Sequence, residues 1–196
     1  MLSLFYTHGK QIFTGNILFI VCCIFYLAWW LLAFNPSGAI TGIKTSWLLI
    51  PASISGLLGV VQALRGILVK LPANQLLPGK AILWGGLALY IILLAVTVRL
   101  FKRPVTSELF LIVGWCMLAL AEINALFGFG LFSQKRSIVF ILAICVAAVV
   151  SLICYVLYYR LDKHEGYIDG MIPLILAALT ITGISCFLLM ELRNPA

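Results

Sequence analysis

Apolar runs close to 20 residues long, separated by short polar stretches, dominate this sequence. Their length has a physical meaning. A helix rises 1.5 Å per residue, so about 20 residues cover the roughly 30 Å of hydrocarbon in a bilayer. Backbone N–H and C=O groups cannot stay unpaired in lipid, which makes one helix per run the natural solution. The runs place spans at approximately 11–34, 45–64, 81–100, 108–132, 137–159 and 171–190. The expected fold is all-α: a polytopic bundle of about six spans with short loops, forming a single transmembrane domain.

Composition agrees. Of 196 residues, 64% are hydrophobic and 10% charged, against about 45–50% and about 25% in a soluble domain. In a soluble chain the net charge of +7 would suggest nucleic acid. Here the basic residues fall in loops and at span ends, so their partners are lipid headgroups and nucleic-acid binding is excluded. Cys22, Cys23, Cys116, Cys145, Cys154 and Cys186 all lie inside spans with no CxxC or metal-type spacing, and read as small apolar core residues. The apolar stretch after Lys10 is too long for a signal-peptide core, so it is expected to remain as the first span.

Several features shape individual spans. Trp29 and Trp30 precede the turn signal Asn35-Pro36-Ser37-Gly38 at the end of span 1, an interfacial pattern. In span 2, Pro51 predicts a kink, and Ser55, Gly59 and Ala63 form a small-residue stripe that should face another helix. Pro72 and Pro78 break the following segment, within which 67–71 is expected to lie along the interface. Span 3 is almost wholly aliphatic and should be the most lipid-exposed. Thr106-Ser107-Glu108 opens span 4 with a hydroxyl cap and an acid in the first turn. In span 5, Ala143, Ala147 and Ser151 form a second stripe, and Tyr155, Tyr158 and Tyr159 an aromatic belt. Asp169 is expected to cap span 6, with Pro173 in its first turn.

Orientation is nearly balanced. Alternate connections hold 7 Lys and Arg on the side of the termini and 6 on the other. That is a lean of one residue toward both termini in the cytoplasm of a cell membrane.

Glu122 is the most informative side chain. An acid near the middle of a span costs at least ~2.5 kcal/mol on insertion scales, so it must face protein or a wet cavity. At 100° per residue, Glu108, Trp115 and Glu122 share one stripe, whereas Asn124 points almost the opposite way. Span 4 therefore belongs inside the bundle with neighbours on both sides. A substrate-binding site of Glu122, Trp115, Asn124, Gln62 and Asn16 is expected, Glu122 binding a proton, a cation or a cationic substrate group. The structural counterpart is a protonated acid hydrogen-bonded to Asn16 or Gln62. Arg160, Asp162, His164, Glu165 and Asp169 make a second, interfacial candidate, where acids and a histidine could meet a headgroup, a metal or a catalytic water. Their spacing matches no metal motif, and a solvated connection explains them as well.

No HExxH, GxSxG or Walker loop is present. His8 and His164 are the only histidines, which removes bis-histidine haem within the spans, and no span has a central lysine for a retinal Schiff base. No cofactor and no metal are expected. The leading expectation is a small multi-pass carrier, or membrane subunit of a transporter, with a cavity around Glu122. The alternatives are an integral membrane enzyme acting on a lipid or isoprenoid, and a non-catalytic scaffold. Expected partners are membrane lipids, a small-molecule substrate, and a second copy or a membrane partner subunit.

Overall fold

The structure, a computed structural model, describes residues 2–36, 45–68, 75–100, 107–158 and 160–193. Among these every regular element is helical: α1 (Leu2–Ala33), a 3-10 turn (Thr45–Leu48) leading into α2 (Leu49–Ile67), α3 (Gly79–Leu100), α4 (Ser107–Gly128), α5 (Gln134–Leu157) and α6 (Lys163–Arg193). Six of these helices are long and apolar enough to cross a membrane.

Consecutive helices run antiparallel. Gly15 lies on Gly59 and Ala63, while Gly66 lies against the His8 carbonyl. A Cβ added at Gly15 would stand 2.9 Å from the Ala63 nitrogen, so the two backbones approach closely, as small residues allow when helices pack in lipid. The Ser55, Gly59 and Ala63 stripe is buried, as expected. At the other end of α1, Trp30 lies on Gly170 of α6, whereas Gly9 lies near Leu188 and Leu192.

Helix α4 is the central element. It packs on α2, α3 and α5, and its Ala119, Ile123 and Leu126 join Ile12, Ile144, Ile184 and Leu188 in the main core. Helix α3 packs chiefly on α4, and Leu83, Trp84, Leu87, Ile91 and Ile92 are exposed on its outer face. An exposed apolar face on a membrane-length helix is one that lipid covers.

Helix ends differ from the sequence reading in instructive ways. Helix α1 starts at Leu2, since nothing in the polar stretch before residue 11 breaks a helix. Helix α4 stops at Gly128, not 132, because Gly130 adopts φ +75°. The Leu131 N–H then donates to the Leu126 carbonyl at 3.0 Å and the Gly130 N–H to Phe127 at 2.9 Å, a Schellman ending. Ser133 caps α5, its hydroxyl accepting from the Arg136 N–H, three residues ahead of the expected start.

Pro51 lies inside the second span, in the first turn of α2, where a missing N–H is best tolerated. In α5, Ala147 and Ser151 are buried but Ala143 is exposed; the inward face runs through Ile144 instead. The largest correction is at α6. Residues 163–170 are helical, and Asp162 is the cap, its Oδ1 accepting from the His164 and Glu165 N–H groups at 2.9 and 2.8 Å. Asp169 lies inside the helix, and Pro173 is interior as well. The expected features at Ser37, Gly38, 69–72, Thr106 and Tyr159 lie outside the described residues.

Candidate functional site: an aromatic and acidic cavity

Four antiparallel helices bring chemistry together at the end of the bundle away from the N-terminus. The last turns of α1 and α5 meet there with the first turns of α4 and α6, enclosing a cavity of about 320 Å³. From α1 come Tyr26, Trp29 and Trp30; from α5, Cys154, Tyr155 and Tyr158. Helix α4 contributes Glu108 and Ile112, and α6 contributes Asp169, Gly170 and Pro173. A second cavity of about 450 Å³ shares Trp30, Phe34 and Tyr158 with the first and continues toward Asp162 and Lys163.

Packing fixes the aromatic wall. Trp30 stacks on Phe34 with centroids 4.4 Å apart, Trp29 meets Tyr26 at 5.2 Å, and Tyr158 lies 5.9 Å from Trp30. Trp30 Nε1 donates to the Tyr167 carbonyl at 3.1 Å, and the Tyr167 hydroxyl to the Leu31 carbonyl at 3.3 Å, tying α1 to α6. Only glycine at 170 leaves room for this ring, because a Cβ would stand 2.1 Å from Trp30 Cζ2.

Asp169 is 8% exposed. Its carboxyl meets the Cys154 thiol, while Oδ2 has no hydrogen-bond partner among the described residues. Pro173, four residues on, has no N–H to offer the Asp169 carbonyl in the regular helical bond. Glu108 lies close enough to Tyr26 and Tyr158 to act on them electrostatically, and Asp169 acts on Tyr158 too. Among the described residues no Lys, Arg or His lines the cavity. Arg136 and Glu191, at the opposite end, form the one ion pair among the described residues.

The site expected around Glu122 is partly assembled. Glu122 is 3% exposed, and its polar neighbour across the α1–α4 contact is Asn16, 1% exposed. Asn16 Nδ2 lacks a well-aligned acceptor, and Trp115 Nε1, two turns along the same stripe, is also unpartnered among the described residues. Asn124 goes elsewhere: its Nδ2 donates to the Leu77 carbonyl at 2.8 Å, and its Oδ1 accepts from the Leu77 N–H at 3.1 Å. Both ends of that amide are used to hold the chain before α3 against α4. Gln62 is half-buried beside Ala63 on α2. Glu122 lines neither of the two cavities described above.

The interfacial group is dispersed. Asp162 is a cap, while Arg160, His164 and Glu165 are exposed. Asp169 alone of that set reaches the first, aromatic cavity. From the sequence, Tyr26 reads as part of an interfacial aromatic cluster, Cys154 as a core residue, and Glu108 as a helix-end acid on the stripe of Trp115 and Glu122, none of them as part of a site at this end. One signal was available: Asp162 and Glu165 have capping-box spacing, which starts α6 early and turns Asp169 inward. Comparison with protein-family models, curated proteins and solved structures finds no match for this chain, so its own geometry carries the functional reading.

Proposed function

We propose that the chain is a small multi-pass membrane carrier, or the membrane subunit of a transporter, whose solute site is the aromatic and acidic cavity. One observation carries this reading. One stripe of α4 runs from Glu108, an exposed first-turn acid that lines that cavity, past the half-buried Trp115 to the buried Glu122 beside Asn16. Fourteen residues separate the two acids, about 21 Å along the helix. A line of polar groups crossing most of a hydrocarbon layer is expensive unless something moves along it or pairs with it.

In this reading Glu122 is an inner polar station and the cavity is where solute is first held. An enzyme acting on lipid has less support, because the residues proposed for it do not converge. A scaffold has no need of a cavity with two acids and, among the described residues, no basic group.

The test is flux into sealed liposomes of purified protein, using labelled tetraethylammonium, glycerol and lactate as cationic, neutral and anionic probes. The expected result is saturable, protein-dependent uptake of at least one, reduced at least tenfold by Glu122→Gln in a variant with unchanged helix content. Protein-independent flux for all three would reject a carrier role, and chemical conversion of an added lipid by detergent-solubilised protein would replace it with the enzyme.

A further inference from the structure

We infer that the cavity selects an organic ammonium ion carrying an apolar body, with Asp169 as its counter-charge and the Trp30 and Tyr158 rings as its wall. This deepens the proposed carrier reading and rests on it for the purpose of binding, though not for the chemistry.

The inference starts from a deficit. Asp169 Oδ2 is buried and unpartnered, and an oxygen left so in a low-dielectric site calls for a donor or a positive charge. A second carboxyl, Glu108, lines the same space, and no basic residue does among those described. Two acids without a counter-ion favour a cation over any neutral or anionic guest of equal shape.

The walls exclude the simplest cation. Among the described residues no three His, Cys, Asp or Glu side chains are grouped to hold a metal ion, and most of the lining is indole, phenol and aliphatic carbon. Aromatic faces attract ammonium groups through the ring quadrupole, most strongly where water is excluded. Such rings also bury the apolar body to which the ammonium is attached. The Trp30 ring is held in place before any guest arrives, by its bond to the Tyr167 carbonyl and its seat on Gly170. That preorganisation lowers the ordering cost of binding.

A primary ammonium could come from a free amine or from an ethanolamine headgroup. Both present the same N–H donors and charge, and the position near one end of the bundle is open to either.

The test is equilibrium binding of labelled phenethylammonium to full-length protein in nanodiscs of phosphatidylglycerol, at neutral pH. One site per chain is expected. Unlabelled 2-phenylethanol, of similar shape with a hydroxyl donor but no charge, should compete at least tenfold more weakly than unlabelled phenethylammonium, and phenylacetate should not compete. Asp169→Asn should weaken binding at least tenfold, and Glu108→Gln by a smaller factor. Loss of binding in phosphatidylethanolamine nanodiscs would identify a headgroup as the competing source, and unchanged binding a free amine; each supports the ammonium site.

The inference is overturned if 2-phenylethanol competes as well as phenethylammonium, if Asp169→Asn binds like wild type, or if folded wild type binds none. Equal competition by the alcohol would leave the cavity a solute site of the wrong chemistry. Ammonium binding without flux in liposomes would instead reject the carrier reading and keep this one. If Asp169→Asn fails to fold, Tyr158→Leu serves as the second variant, with an expected loss of at least threefold.

Discussion

Glu122 and Asp169 are both carboxyls withdrawn from solvent on inward helix faces, yet their surroundings differ in kind. Around Glu122 the neighbouring α4 residues Ala119, Ile123 and Leu126 are interlocked with α1, α5 and α6, and the one polar group on hand is the Asn16 amide. Around Asp169 there is space, walled by rings and shared with a second acid. Burial alone therefore does not mark a binding site. A buried acid with an amide beside it has a structural explanation, whereas one that lines a cavity and keeps an unpartnered oxygen among the described residues does not.

The comparison breaks most readily at Gly170. Gly170→Ala puts a methyl into the Trp30 ring, and the ring must leave the wall because the helix backbone cannot. Phenethylammonium binding should fall at least tenfold, with a changed tryptophan emission and unchanged helix content by circular dichroism. A wild-type affinity in this variant would mean that Trp30 is not part of the site.

A smaller effect is expected where polar groups serve structure. Asn124→Ala removes both bonds to Leu77 and leaves that backbone unpaired, so stability in denaturant titration should drop by about 1–3 kcal/mol. Ammonium binding per folded molecule should be unchanged, and a selective loss of binding would return Asn124 to the functional set.

Glu122→Gln sharpens the contrast further. The amide has the same shape and can still pair with Asn16, so stability should change by less than about 1 kcal/mol, and cavity binding should stay within twofold of wild type. Loss of binding with an intact fold would shift the solute site toward Asn16. The smallest effect belongs to Arg136→Ala, which opens a partly exposed ion pair with Glu191. Thermal stability should fall by about 0.2–1 kcal/mol, and less at high salt.

What was legible in the sequence follows from which forces act locally. The number of helices came from run length, because lipid enforces one helix per apolar run. The inward face of α4 came from helical periodicity, and the α1-facing side of α2 from its small residues. Helix ends came out less well, since Leu2 to Lys10 and Lys163 to Gly170 are polar enough to read as connections, yet contain nothing that stops a helix. The cavity was least visible. Its acids stand 61 residues apart in sequence, and only the packing of four helix ends brings Glu108, Asp169 and Trp30 to one space. Trp29, Trp30, Tyr155 and Tyr158 were noticed, but as rings at span ends they looked like an ordinary interfacial belt.

The contrast between the two regions can be measured without knowing the solute. Cys154 lines the cavity beside Asp169, and Cys116 of α4 packs against the main core away from it. Two single-cysteine proteins, keeping one or the other, would be exposed in liposomes to a small cationic methanethiosulfonate, which reacts with hydrated thiols. The account predicts labelling of Cys154, slowed by added phenethylammonium, and silence at Cys116. Labelling of Cys116 with Cys154 silent would contradict it, placing the open, wet space against the middle of α4 instead.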